Sequence, residues 1–262
     1  MGGDQTKQAG KDGTAPNRST GRPRSLGGLY RVGGVAALTA ALLFRRYWSA
    51  EFLLLRSLGI IGVGPAAVPS TAAEWFALLK NHRLIGLILL DIVDLMNYAL
   101  IGLILLALYA ALRWAREGTM AIAVTCGFIG IAVHFASNQA FAMLSLSGRY
   151  AAATTEVQRS MLLAAGEALL AINQGTGIYL SLLLVTLSDL IVSLVMLRSG
   201  VFRRWTAAIG LVAHVSQLCY FIALPLTPAL VAIPPALAAP FRLVWYVLIG
   251  RRLLQLASGF PE

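Results

Sequence analysis

Residues 83–112 read RLIGLILLDIVDLMNYALIGLILLALYAAL, and the fold class turns on them. At about 20 residues per crossing, the stretch is long enough to span a bilayer as a helix. Yet Asp91, Asp94, Asn97 and Tyr98 stand well inside the apolar run. At about 100° per residue, Asp91, Asp94 and Tyr98 share one helical face and Asn97 flanks it. An acidic side chain at mid-helix costs roughly 2.5–3.5 kcal/mol on insertion scales, so such groups face a protein interior or a water-filled cavity. The stretch therefore implies a membrane bundle with a polar centre.

Composition agrees. Apolar residues make up 58% of the chain and charged residues 12%, and mean hydropathy is +0.76. Soluble domains carry roughly 25% charged residues. The expected class is all-α, a polytopic membrane protein. A chain of 262 residues has room for about six spans with their connections. The net charge of +10 lies mostly at the ends of apolar runs, where topology determinants belong, and forms no nucleic-acid groove. Membrane lipids are the expected partners; nucleic acid is not. Cys126 and Cys219 fall inside predicted spans without a CxxC pair, so neither a disulfide framework nor a metal motif is indicated. No lysine follows Lys80, which excludes a retinal Schiff base within the spans. P-loop, dinucleotide-fingerprint and nucleophile-elbow motifs are absent from the sequence.

Residues 1–25 read as a disordered, basic cytoplasmic tail. Residues 26–262 form the six-span domain, with spans near 26–44, 83–112, 119–143, 174–197, 205–224 and 241–254. Interfacial or re-entrant helices are expected in the 1–2 connection, at Tyr47–Ile61, and in the 3–4 connection, at 154–172. Ser70 or Thr71 can cap a further helix through Glu74. Ser160, Glu167, Gln174, Ser181 and Ser188 recur every seven residues, a polar stripe that drifts about 20° per repeat. Arg113, Arg116, Arg198, Arg203, Arg204, Arg251 and Arg252 favour a cytoplasmic-membrane topology with both termini cytoplasmic; the basic 1–2 connection goes against this alternation.

In that topology Asp91, Asp94 and Asn97 fall in the outer half. So do His134, Asn138, Glu167, Gln174, His214, Gln217 and Arg242. Five segments thus bring polar groups to a similar depth, and their convergence would make a pocket open outward. Two nearby carboxylates raise one pKa, which suits proton exchange at Asp91 and Asp94. Arg242 would serve as counter-ion or anion ligand. The competing reading is pairwise interhelical hydrogen bonding, on the order of 0.6 kcal/mol each. His134 and His214 each follow a glycine by four residues, Gly130 and Gly210. Opposed histidines beside such notches could ligate haem b; otherwise they are hydrogen-bonded core residues. Asp189 falls in the inner half, as part of an inner gate or as a partner of Arg198 or Arg203. The leading function is binding or translocation of a small polar or amphiphilic molecule, with proton coupling as one form of it. The alternatives are a haem or metal enzyme, or a ligand-free scaffold subunit.

The stretches WFALLKNHRLIGLILLDIVD (75–94), FASNQAFAMLSLSGRYAAATTEVQRSMLLAAGEALLAI (135–172) and SGVFRRWTAAIGLVA (199–213) carry a further signal. From about residue 27 onward the chain resembles an uncharacterised family of prokaryotic multi-span membrane proteins, a domain of unknown function. The resemblance implies a six-span helical protein and transfers no activity, ligand or site residue.

Overall fold

The computed structural model describes residues 26–46, 69–173, 175–227 and 233–259. Among them the structure is helical, with no strand. The helices are α1 (Gly27–Arg46), α2 (Ala72–Asn81), α3 (Arg83–Leu89), α4 (Ile92–Leu112), α5 (Glu117–Ser137), α6 (Ala140–Ala152), α7 (Glu156–Asn173), α8 (Thr176–Ser199), α9 (Arg204–Leu226) and α10 (Ile233–Ser258). The tail 1–25, the expected interfacial segment at Tyr47–Ile61 and Gln174 lie outside the described residues.

Six helices close a ring in the order α1, α4, α5, α8, α9, α10 and back to α1, and α4 also touches α8 across it. Every neighbour runs antiparallel. Tyr30 of α1 donates to the Ala110 carbonyl of α4 at 3.3 Å. Ser188 of α8 donates to the Ala123 carbonyl of α5 at 2.7 Å. Arg242 of α10 donates to Gln217 of α9. Small residues allow this closeness, as packing between helices in lipid requires. A Cβ on Gly34 would stand 3.0 Å from the Gly250 carbonyl oxygen, and one on Gly130 would stand 3.0 Å from the Ser181 carbonyl oxygen. The glycine notches beside the histidines are thus filled by neighbouring helices: Gly130 by α8, Gly210 by Ser193 and the Trp245 indole.

The ring turns apolar side chains outward. Ile122 is 65% exposed, Ile129 51% and Ile222 62%, while Ser181, Ser188, Ser193 and His214 are fully buried. So apolar a surface, over an interior that is itself largely apolar, suits lipid and not water. Five helical stretches, 92–112, 117–152, 156–199, 204–226 and 233–258, are long and apolar enough to cross a membrane; in α1 the apolar part, Gly27–Leu43, is shorter. By length and composition, the chain is a helical membrane protein.

Three ring helices continue past a break into a second unit. The single span expected over 83–112 is divided, because Asp91 takes the left-handed conformation (φ 61°, ψ 29°). Aspartate is among the few non-glycine residues that visit this region. The face predicted to join Asp91 to Asp94 and Tyr98 is therefore interrupted. The expected span 119–143 breaks likewise at Asn138, an extended residue (φ −74°, ψ 126°). Asn138 stitches the two breaks together: its amide donates to the Leu90 and Asp91 carbonyls at 3.2 and 3.4 Å, and its carbonyl accepts from Ala140 N–H at 3.1 Å. Extended backbone at Gly175 separates α7 from α8 and interrupts the seven-residue stripe.

Beyond these breaks α2, α3, α6 and α7 form a cap around Trp75, Phe76, Leu79, Leu90, Met143 and Leu170. Thr71 and Glu74 make the capping box anticipated for α2. The final helix begins at Ile233, earlier than expected, because Pro234 and Pro235 occupy its first turn, where no intrahelical N–H bond is lost.

Candidate functional site

A partly enclosed cavity of about 150 Å³ lies inside the ring, lined by α1, α4, α8 and α10. Its polar wall is Asp94, Asn97, Tyr98, Thr186, Asp189 and Arg242, with Tyr246 beside them. Leu43, Ile101 and Val185 contribute the apolar side. At about 1.5 Å per residue along the helices, Asp94 stands near the cap end and Asp189 roughly 20 Å from it, near mid-helix. The cavity therefore runs from the cap end toward the middle of the ring.

Asp189 is 4% exposed. Among the described residues its carboxylate has neither hydrogen bond nor direct ion pair; its backbone carbonyl accepts from Ser193 at 2.8 Å. Arg242, on the facing helix, donates one N–H to Gln217 Oε1 at 3.3 Å, and its Nε has no partner among the described residues. A guanidinium offers five donors, so Gln217 orients this one while most of its capacity remains. Ser181, Thr186, Ser188, Asp189 and Ser193 make α8 the source of half of the buried polar side chains among the described residues. Ser188 spends its hydroxyl on α5.

The sequence-predicted residues divide. Asp94, Asn97 and Arg242 line the cavity together, and Gln217 supports Arg242 from behind. His134 stacks face to face on Tyr98, ring centroids 3.7 Å apart and planes 3° apart, so it braces a cavity wall without lining it. His214 stands edge-on to Trp245 at 4.7 Å. The ring nitrogens of both histidines are buried without a partner among the described residues. Asp91 and Asn138 belong to the breaks between ring and cap. Glu167 accepts the Ala72 N–H at 2.6 Å, which places it at the α2 N-terminus, where the helix end favours a carboxylate. Among the described residues no three His, Cys, Asp or Glu side chains converge as metal ligands.

The sequence reading omitted Tyr98, Thr186, Asp189 and Tyr246 from the candidate site. Asp189 carried a usable signal: it directly follows Ser188 in the stripe and lies at mid-helix, too far from Arg198 to be an interfacial residue. The second cavity carboxylate is thus Asp189, not Asp91.

These features define a helical membrane protein with a charged internal cavity beneath an apolar cap. Compared with known protein families, curated proteins and solved structures, the chain matches none.

Proposed function

We propose that the protein binds, and in translocation releases, a small polar or amphiphilic molecule in the ring cavity. The observation that carries this reading is Asp189, a carboxylate buried at mid-helix and facing a cavity instead of a protein partner. An acid held there without compensation costs several kcal/mol; water or a ligand in the cavity offsets that cost. Asp94 and Asp189 place carboxylates at two depths of one cavity, the kind of intramembrane arrangement from which proton relays are built. The six ring helices are read as six spans. Arg113, Arg116, Arg198, Arg203, Arg204, Arg251 and Arg252 gather at the end opposite the cap, which supports cytoplasmic termini and a cavity opening outward, in the cell membrane.

Native mass spectrometry of the full chain in detergent or nanodiscs tests the reading directly. The expected result is a co-purifying small polar molecule, with occupancy lost in Asp94→Asn and Asp189→Asn while the helical fold and basal melting temperature persist. Variants that lower melting temperature but keep their occupancy would make both aspartates structural.

A further inference from the structure

We propose that the ligand of this cavity is a small zwitterion, of the size of a simple amino acid, with its ammonium end at Asp189 and its carboxylate end at Arg242. This rests on the reading of the cavity as a binding site and narrows it to one substrate class.

Three observations carry it. First, both signs of charge line one cavity yet do not neutralise each other: Asp189 and Arg242 share it without a direct ion pair. Two opposite charges facing the same space at a distance match a molecule that carries both. Ser193 and Trp245 both pack on Gly210, so Asp189 and Arg242, each three or four residues toward the cap from them, lie at about the same depth of the cavity, with a gap between them wider than an ion pair. A zwitterion with charges a few ångström apart, adding a charge-assisted hydrogen bond of about 2.8 Å at each end, covers such a gap. Asp94 does not upset the balance. It lies in the first turn of α4, where the helix N-terminus favours a negative charge.

Second, the donors are arranged for a carboxylate. Gln217 fixes the Arg242 guanidinium through one N–H, and no other protein acceptor among the described residues takes the rest. A planar fork oriented by Gln217 with donors left over, on a residue that lines the cavity, suits carboxylate capture.

Third, the rest of the lining suits an ammonium group with a short apolar body. Tyr98 and Tyr246, both nearly buried, share the cavity with Asp189, and aromatic faces attract cations. Ile101 and Val185 give the body apolar contact. A volume of about 150 Å³ is that of a cavity that holds a benzene-sized molecule, about six heavy atoms. Alanine and β-alanine have that size; a lipid or a dipeptide does not.

The test uses the full chain in nanodiscs, with thermal stabilisation and isothermal titration as readouts. The probes are L-alanine, β-alanine and glycine betaine. Alanine methyl ester supplies the cation alone and N-acetylalanine the anion alone. The expected result is that at least one zwitterion stabilises the wild-type protein and that both blocked analogues bind at least tenfold more weakly. Asp189→Asn and Arg242→Gln should each weaken the zwitterion at least tenfold. If the ester binds as well as alanine, the site takes cations and the zwitterion assignment falls while the cavity reading survives. Equal binding of N-acetylalanine has the same consequence for an anion site. If none of these probes binds while a neutral polar solute does, the zwitterion assignment again falls alone. If no small polar solute binds at all, both fall. The comparison of blocked and unblocked probes needs no variant, so a variant that fails to fold leaves the outcome decidable.

Discussion

The ring and the cap are both built from antiparallel helices, and they use polar residues in opposite ways. The cap has an apolar interior: Trp75, Phe76, Leu79, Met143 and Leu170 pack together, and its polar groups are spent on helix ends and joints. Glu74 serves Ser70 and Thr71, Glu167 serves Ala72, and Ser147 donates to the Phe76 carbonyl at 3.1 Å. The ring also buries an apolar core, around Leu105, Leu108, Met196, Trp245 and Ile249, but it sets Asp189, Arg242, Asn97 and Thr186 around a cavity. The contrast between Glu167 and Asp189 is instructive. Both are acids within one polar stripe region of the sequence, but one satisfies a backbone donor that the helix start leaves open, and the other has no such task. A carboxylate that completes secondary structure is explained by folding; one that does not calls for a ligand, water or a proton.

That division can be broken experimentally. The largest effect is expected from Trp75→Ala, since truncating a buried aromatic costs about 3–5 kcal/mol. Loss of amide-exchange protection should be confined to α2, α3, α6 and α7, with α4 and α8 still protected. Uniform loss across both units would show that ring and cap are one cooperative body. A smaller effect is expected at the hinge. Asp91→Val should destabilise by about 1–2 kcal/mol, because a β-branched residue resists the left-handed conformation, whereas Asp91→Gly should be tolerated. Equal melting temperatures for the two variants would remove the strained hinge. The smallest effect is a pH dependence in the cap. Hydrogen bonds from the Ser70 amide first, and then from Thr71, hold the Glu74 carboxyl below its ordinary value of 4.5. Its contribution is therefore present above pH 4.5 and is lost as pH falls through the lowered folded-state value. Exchange in residues 70–76 should accelerate in that acidic window in the wild type but not in Glu74→Gln, where the capping contribution is already missing.

Much of the ring was legible in the sequence. Apolar runs of about 20 residues, flanking arginines and paired small residues specify helices that cross lipid and pack closely, because in hydrocarbon every backbone group must bond within its own helix. Thr71 and Glu74 announced the start of α2 through a local capping pattern. The hinges were less legible. Nothing in the apolar composition of 83–112 distinguishes one long helix from two, since Asp91 adopts its conformation only where Asn138 and the packed cap hold the turn.

The candidate site lay between these cases. Asp94, Asn97 and Arg242 could be nominated from depth alone, because the topology expected from the sequence puts all three in the outer half. Depth along a helix cannot tell which way a side chain points, and that depends on how the neighbouring helices rotate as they pack. By itself, then, the sequence determined a lipid-embedded helical bundle with acids and an arginine at its heart, through hydrophobic run length and the cost of buried charge. Only the tertiary structure decided that Asp189 faces Arg242 across a cavity while Glu167 and Asn138 are spent on helix ends. Side-chain direction and backbone satisfaction are set by contacts between segments far apart in the chain.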